Sequence, residues 1–178
     1  MTDTSKPVSV LFVCLGNICR SPMAEAVFNH LALGPTPTLS SSVTFRTDSA
    51  GTLAMHAGDL SDPRTRATLS AHKIPYTGRA RKITEADFED FDLILGMDGM
   101  NIANINKVRR KVVERKGGDE GLARVMLFGD FSDRGKGEEV VDPYYGGDEG
   151  FERCYEQMGR FSRGLVKGVE KERAEGKL

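Results

Sequence analysis

The sequence has few cysteines, no long apolar run near its start and almost no net charge, and each shortage excludes a class of protein. Three cysteines are too few, and odd in number, for a secreted disulfide framework, so we expect free thiols in a reducing compartment. The apolar run at residues 8–15 is far shorter than the roughly 20 residues that span a bilayer. A formal net charge of −1 gives no general attraction for nucleic acid or anionic lipid. We therefore expect a cytoplasmic protein with neither a nucleic-acid nor a membrane partner.

The chain is long enough to form a hydrophobic core without covalent staples. It has 178 residues, 39% of them hydrophobic. A chain of this length buries roughly 70% of its unfolded surface on folding. The length also favours one domain over two.

Hydrophobic periodicity predicts strands that alternate with helices. The pattern predicts strands at 8–13, 43–47, 80–83, 92–96 and 125–127, and helices at 22–33, 63–72, 84–91 and from about 99. A stripe from Phe151 to Leu165 predicts a long last helix, which should fray from Lys167. This alternation predicts an α/β fold of three layers, with a doubly wound, mainly parallel sheet of about four strands and helices on both faces. Ligands bind such sheets beyond the carboxyl ends of the strands.

The loop after the first strand carries the most specific chemical signal. Cys14 and Arg20 stand six positions apart, between a strand end and a helix N-terminus. Backbone N–H groups in such a loop can form an anion nest, and the helix dipole adds positive charge there. Gly16 permits a tight turn, Asn17 tolerates left-handed backbone, and Arg20 can bind two phosphate oxygens at once. The sequence therefore predicts a phosphate-binding loop made of Leu15, Gly16, Asn17, Ile18 and Cys19.

The same loop surrounds Cys14 with groups that favour an anion. Alone, a cysteine at a strand end is most often a buried small hydrophobe. Here the amides, Arg20 and the helix dipole predict a thiolate at neutral pH. Ser21 is expected both to cap the helix and to donate a hydrogen bond to the sulfur.

This pattern resembles the signature of the low-molecular-weight protein tyrosine phosphatases. Residues 10–28, VLFVCLGNICRSPMAEAVF, carry the resemblance nearly position by position. Further segments follow in the family's order: DSAG at 48–51, DPR at 62–64, ARKIT at 80–84, FDLIL at 91–95 and DPYYG at 142–146. The resemblance covers essentially residues 8–170. We expect one phosphatase domain over 1–178, with residues 1–7 and about 171–178 flexible.

The resemblance implies hydrolysis of phosphotyrosine proteins and small aryl phosphates by a monomer, without metal or cofactor, through a cysteinyl-phosphate. By match, Cys14 is the nucleophile, Arg20 the clamp on the phosphate and Ser21 the stabiliser of the thiolate. Asp142 first protonates the leaving phenolate and then activates the water that cleaves the phosphocysteine.

Other matched residues support the substrate or the loop. Tyr144 and Tyr145 match aromatic walls of the pocket and also targets of tyrosine phosphorylation. Ser49 matches a serine that hydrogen-bonds the left-handed Asn17. Cys19 matches a second pocket cysteine, which forms a disulfide with the oxidised nucleophile and so implies reversible redox regulation.

Two positions depart from the family pattern. The family's variable loop, here about residues 50–61, usually presents a bulky aromatic to the substrate ring, and Met55 stands at that position. Methionine is a softer wall, so we expect phosphotyrosine activity with an altered peptide preference. Many members carry a histidine that braces the phosphate-binding loop where Gly78 stands, so the source of that support is left open.

Two other functions remain open at this stage. An arsenate reductase of the same fold resembles this loop but carries relay cysteines near residues 80–95, where this sequence has none. A non-catalytic phosphate-binding module would lack the nucleophile or the acid, whereas Cys14 and Asp142 are both present.

Cys154 falls on the apolar stripe of the last helix and is expected in the core, so the cysteines indicate no metal site.

Overall fold

A parallel four-stranded sheet forms the centre of the structure, a computed structural model that describes residues 6–178. Its strands are β1 (Val8–Cys14), β2 (Phe45–Gly51), β3 (Leu93–Gly96) and β4 (Arg124–Leu127). They lie in the order β2-β1-β3-β4, and every neighbouring pair is parallel. The predicted fold class is confirmed. Residues 1–5 of the segment expected to be flexible lie outside the described residues.

The described residues also form five α-helices and two short 3₁₀ helices. The α-helices are α1 (Arg20–Ala32), α2 (Pro63–Ala71), α3 (Asp87–Asp90), α4 (Gly99–Lys116) and α5 (Asp148–Ala174). The 3₁₀ helices cover Phe128–Phe131 and Pro143–Tyr145. None of the helices within residues 6–178 combines the length and the apolar character that a membrane span requires.

Alternate residues of the strands face two separate cores. Phe12 of β1 and Leu95 of β3 pack into a core shared with side chains of α1 and α5. Leu11 and Ile94, one position away, pack into a second core with side chains of α3 and α4. Every residue of β1 is buried, as a strand covered on both faces requires.

Two local predictions were wrong. β2 lies at Phe45–Gly51 instead of 43–47, because the polar residues 48–49 continue the strand and pair with Leu11 and Phe12 of β1. Residues 80–83 form no strand and contribute only an isolated bridge between Gly51 and Lys82. Periodicity failed at β2 because polar residues lie inside the strand. It failed at residues 80–83 because a short apolar segment lies beside the sheet without joining it.

The last helix continues past the expected fraying point. α5 runs to Ala174, and side chains of its final turns contact other elements. Glu170 accepts a hydrogen bond from the Ser42 backbone at 2.8 Å, and Glu172 pairs with Arg124 of β4 at 2.6 Å. These contacts stabilise the final turns of α5, which the sequence pattern had predicted to be frayed. That prediction was wrong.

The strand order creates a crevice beyond the ends of β1 and β3. The chain passes from β1 to β2 on one side and then crosses to β3 on the other side of β1. At such a switch point the loops after the two central strands separate and leave room for a ligand. The loop at residues 15–19 follows β1, and residues 97–98 follow β3.

Candidate active site

The 15–19 loop joins β1 to α1 and presents unpaired backbone donors. Within residues 6–178, no protein acceptor receives a hydrogen bond from the backbone N–H groups of this loop. Three of its carbonyls are bonded: Leu15 O accepts from Leu53 N at 2.9 Å, Ile18 O from Asp62 N at 2.8 Å and Cys19 O from Met23 N at 3.3 Å. Asn17 has φ of 56°, the left-handed conformation that its side chain tolerates. The loop is thus anchored through its carbonyls and leaves its N–H groups able to bind an anion.

Gly51 at the end of β2 allows this loop to lie against the sheet. A Cβ at Gly51 would stand 2.9 Å from Leu15 O and 2.9 Å from the carbonyl carbon of Gly16. Any side chain there would push the loop away from β2. Sequence analysis missed this requirement, although Gly51 lies in a segment that resembles the family.

Cys14 ends β1 and lies buried at the base of the loop. Its Sγ is 3.1 Å from Ser21 Oγ. The prediction that Ser21 caps α1 was wrong, because the helix already begins at Arg20 and its N-cap residue is Cys19. The Ser21 hydroxyl instead lies between two acceptors, Cys14 Sγ and Ala50 O, the latter at 3.2 Å, and it accepts a hydrogen bond from Asn17 Nδ2 at 2.8 Å. It can therefore donate its proton to a thiolate at Cys14.

Arg20 is buried beside this sulfur with two carboxylates. Its Nη1 donates to Asp98 Oδ2 at 2.5 Å and to Val140 O at 3.0 Å, and its Nη2 donates to Asp142 Oδ2 at 3.0 Å. Burial disfavours the charge, but Cys14, Asp98 and Asp142 outweigh it and hold the pKa of Arg20 above its usual value. Arginine has five N–H bonds, and three have acceptors among the described residues. Nε and one Nη2 hydrogen remain for two phosphate oxygens.

Asp98 is a site residue that sequence analysis missed. It follows β3, whose carboxyl end lies beside that of β1, so the parallel topology could have pointed to it. Its second oxygen, Oδ1, caps α4 by accepting from Asn101 N at 2.7 Å. One carboxylate thus fixes both Arg20 and the start of a helix.

Asp142 binds the second terminal nitrogen of Arg20, Nη2, whereas Asp98 binds Nη1. Its Oδ1 accepts from Tyr144 N at 3.1 Å, which starts the 3₁₀ helix Pro143–Tyr145. The segment before it is fixed to the end of β3, because Val140 N donates to Met97 O at 2.8 Å. The carboxylate therefore sits on anchored backbone.

These residues surround one cavity of about 150 Å³. It is lined by Cys14, Leu15, Gly16, Ile18, Cys19, Arg20, Leu53, Met55, His56, Asp142, Tyr144 and Tyr145. The side chains of Asn17, Ser21 and Ser49 lie behind the loop instead, where Asn17 Nδ2 donates to Ser49 Oγ at 3.0 Å. Leu53 and His56 were not predicted, because the variable loop has no periodicity that would single them out.

The mouth of the cavity is apolar and exposed. Met55 is 74% exposed and Tyr145 is 85% exposed. The Tyr144 and Tyr145 rings meet edge to face at 5.0 Å between centroids. Tyr144 is steadied by the Arg64 guanidinium, which lies 5.3 Å from its ring centroid.

Cys19 and Cys154 differ from Cys14 in their surroundings. Burial first, then the charges of Asp62 and Cys14, raise the pKa of Cys19 to about 12. Cys19 is therefore a neutral thiol at physiological pH. Cys154 is buried in the core next to α1, which confirms its predicted place, and burial raises its pKa as well. All three cysteines are free.

A parallel sheet whose first strand ends in a loop of free N–H groups at a helix N-terminus defines a class of α/β proteins that bind phosphate groups. Within that class, a family model described as low molecular weight phosphotyrosine protein phosphatase matches residues 9–175. The chain belongs to this family.

Individual relatives agree with the family assignment. A low molecular weight phosphotyrosine protein phosphatase of Schizosaccharomyces pombe is 43% identical over 166 residues, which cover 93% of this chain and 99% of the relative. The Homo sapiens protein of that name is 41% identical over 158 residues, 89% of this chain and 93% of the relative. A crystal structure of a protein tyrosine phosphatase from Entamoeba histolytica, with Hepes in the active site, aligns with a TM-score of 0.75 and 32% identity. That alignment covers 96% of this chain and 99% of the other.

Proposed function

We propose that this protein hydrolyses phosphotyrosine in proteins and small aryl phosphates through a cysteinyl-phosphate intermediate. The observation that carries the proposal is the ring of free N–H groups around Cys14, with Arg20 and Asp142 on the same cavity. An anion nest binds the phosphate, the sulfur faces the phosphorus, and a carboxyl group lies where the leaving oxygen departs.

In the first step, the Cys14 thiolate attacks phosphorus and the bond to the phenolic oxygen breaks. In the form that starts this step Asp142 carries a proton, which it gives to that oxygen, so the product leaves as a neutral phenol and Asp142 becomes the carboxylate that pairs with Arg20. The loop N–H groups and the free edge of Arg20 stabilise the charge on the three equatorial oxygens. In the second step, the Asp142 carboxylate takes a proton from water, the water oxygen attacks phosphorus, and the sulfur leaves as a thiolate held by Ser21.

The shape of the cavity favours an aryl group. A volume of about 150 Å³ is comparable with a cavity that holds a benzene ring. Tyr144, Tyr145, Leu53 and Met55 offer apolar surface to the ring. Each step is supplied by side chains and backbone, so we propose that the reaction needs no metal or cofactor.

The two alternatives find less support. An arsenate reductase relay would need further cysteines, whereas the sequence has none between Cys19 and Cys154. A binding module would have no use for a free cysteine below the nest and a carboxylate bonded to Arg20.

We further propose a single-domain, monomeric protein of the cytoplasm, whose sequence with three free cysteines suits a reducing compartment. Redox regulation is part of this proposal. Hydrogen peroxide would oxidise the Cys14 thiolate to a sulfenic acid and be reduced to hydroxide, and attack of the Cys19 thiolate on that sulfur would form a disulfide and release a second hydroxide. A thiol reductant would restore both thiols and be oxidised to its own disulfide. Tyr144 and Tyr145 are exposed enough to be phosphorylated by a kinase.

The test is steady-state hydrolysis of p-nitrophenyl phosphate and of a phosphotyrosine peptide by reduced enzyme in EDTA. Cys14→Ser is the blank, and acid quench during turnover should trap phosphocysteine for mass spectrometry. Asp142→Asn should slow phenyl phosphate more than p-nitrophenyl phosphate, because the poorer leaving group depends more on a proton. Phosphate binding without turnover in the wild type would favour a binding module, and arsenate-dependent consumption of reductant would favour a reductase.

A further inference from the structure

A chain of hydrogen bonds runs behind the 15–19 loop and ends at a pair of groups that the reaction steps do not use. Tyr76 Oη donates to Glu25 Oε2 at 2.8 Å, and Ser49 Oγ donates to the same oxygen at 2.7 Å. The two hydroxyl oxygens are 3.4 Å apart. One carboxylate on α1 therefore accepts hydrogen bonds from β2 and from the segment after α2.

The direction of these bonds is fixed by Glu25. The single hydroxyl proton of Ser49 is donated to Glu25, so the Ser49 oxygen can only accept from Asn17 Nδ2, which lies 3.0 Å away. The other Nδ2 hydrogen of Asn17 goes to Ser21 Oγ at 2.8 Å. Ser21 is thus an acceptor from Asn17, and its own proton has two acceptors within reach, Cys14 Sγ at 3.1 Å and Ala50 O at 3.2 Å. A thiolate at Cys14 is the charged and therefore the stronger of the two. Arg81 N donates to Asn17 Oδ1 at 2.9 Å and holds the amide with Nδ2 facing the two serines, so a reversed Ser49 hydroxyl would set two donors against each other.

Gly78 makes room for the Tyr76 hydroxyl. A Cβ at Gly78 would lie 2.3 Å from Tyr76 Oη and 2.5 Å from Cζ. Tyrosine at 76 in this position and any side chain at 78 therefore exclude each other. Gly78 is also the position at which the sequence departs from the family's bracing histidine.

We propose that Tyr76 is a positioning residue for this reaction: its hydroxyl holds Glu25 so that Ser49 and Asn17 orient the Ser21 hydroxyl towards the Cys14 sulfur. Glycine is required at position 78 for this arrangement, because a histidine there, as in the family pattern, would collide with the tyrosine ring. The inference rests on the proposed phosphatase function and names the residue that supports its nucleophile.

The charges around Glu25 agree with this role. Burial holds the pKa of Glu25 above its usual value, and the hydrogen bonds from Ser49 and Tyr76 offset this only in part. Of the other charged groups facing it, Asp48 of β2 raises this pKa and Arg81 lowers it. Loss of the Tyr76 hydroxyl removes one of the groups that keep Glu25 ionised, and a protonated Glu25 could donate to Ser49. Burial also raises the pKa of Tyr76, which stays a donor throughout the physiological range.

The first test is Tyr76→Phe, which removes the hydroxyl and keeps the ring. We expect kcat for p-nitrophenyl phosphate to fall about tenfold, in line with the loss of a hydrogen bond to a charged group, with a smaller change in KM. The midpoint of the pH dependence of inactivation by iodoacetate should rise by about one pH unit, the equivalent of a tenfold loss. Tyr155→Phe is the matched control: Tyr155 is also half-buried but stacks on His72, away from the network.

Rescue distinguishes positioning from general stability. Gly78→His alone should lower kcat, because the new side chain collides with Tyr76. Combined with Tyr76→Ala, the same histidine should recover at least part of the activity that Tyr76→Ala loses. If Tyr76→Phe does not fold, Glu25→Gln is the second variant, with the same shift in the iodoacetate midpoint expected.

Wild-type kcat and an unchanged iodoacetate midpoint in Tyr76→Phe would overturn the proposal. A lower melting temperature with an unchanged midpoint would do so too, because it would leave Tyr76 a purely structural role. The iodoacetate profile needs no turnover, so it tests the network even if the wild type hydrolyses no phosphate ester. Failure of the proposed function would instead appear in the wild-type assay itself.

Discussion

Replacing Asp98 with asparagine removes one of the two carboxylates that hold Arg20. Asp98 uses Oδ2 for Arg20 Nη1 at 2.5 Å and Oδ1 for the Asn101 N–H at 2.7 Å. Both partners are donors, and an asparagine has only one acceptor oxygen. The new amide must set a donor against Arg20 or against the start of α4.

The size of the effect follows from burial and charge. The Arg20 side chain is 3% exposed and that of Asp98 is 24% exposed, so solvent screens the pair only weakly. A hydrogen bond to a charged group contributes about 1.5–3 kcal/mol, and the partial exposure of Asp98 favours the lower end. For a protein of this size, about 1.5 kcal/mol lowers the melting temperature by roughly 3–6 °C. Displacement of the guanidinium by about 1 Å should lower kcat/KM about 100-fold.

The assay pairs kcat/KM for p-nitrophenyl phosphate with thermal unfolding, and it uses Asp98→Ser as the control. Serine keeps an oxygen that can cap α4 but is too short to reach Arg20, so it separates the two jobs of Asp98. Both variants should lose activity, and asparagine should lose more stability. If both kept kcat/KM within about twofold of wild type, Asp98 would only cap α4 and the positioning of Arg20 would have another cause.

Three further predictions concern pH, redox chemistry and the substrate wall. The hydrogen-bonded Arg160 guanidinium lowers the pKa of Glu138 to about 2, below the roughly 4.3 of an unfolded glutamate. The ionised Glu138 therefore stabilises the folded state fully above about pH 4.3, and this contribution is lost as the pH falls towards 2. Glu138→Gln should therefore show a flatter melting temperature between about pH 4.5 and 2, and parallel acid curves would contradict this. The Cys19 thiolate is the species that attacks the oxidised Cys14, and the pKa of Cys19 is about 12. After peroxide treatment, the ratio of disulfide to dimedone adduct should therefore rise roughly tenfold per pH unit, and it should be higher in Asp62→Asn, because Asp62 raises the pKa of Cys19. A ratio that does not depend on pH would exclude this route. Met55→Trp should lower KM for aryl phosphates with little change in kcat, and unchanged kinetics would remove Met55 from the wall.

The fold was largely predictable because its elements have simple periodicities. The β1 run and the α5 stripe predicted a buried strand and a long helix, and both are present. β2 was misplaced because Asp48 and Ser49 are polar residues inside a strand. Their side chains are used at the site, where Ser49 bonds Asn17 and Asp48 pairs with Arg81 at 2.9 Å. Local pattern arguments fail where function, and not burial, selects a strand residue.

The site was predictable where one continuous segment supplies it. The 15–19 loop, Cys14 and Arg20 form such a segment, and their spacing carries the signal. Asp98 and Tyr76 were missed because each stands far from this segment in sequence and reaches it only through tertiary structure. No periodicity marks a residue whose importance lies in a hydrogen bond to Arg20 or Glu25.

The contrast between the fixed interior of the cavity and its exposed rim separates two properties that evolution can change independently. Arg20, Asp142 and the 15–19 loop are tied to three strands and a helix, so changes there disturb the whole constellation. Met55, Val141 and Tyr145 are mostly solvent-exposed, and substitutions at such positions usually alter stability by less than about 0.5 kcal/mol. Substitutions at this rim are therefore expected to change the preference for one peptide over another while Cys14, Arg20 and the 15–19 loop keep their arrangement.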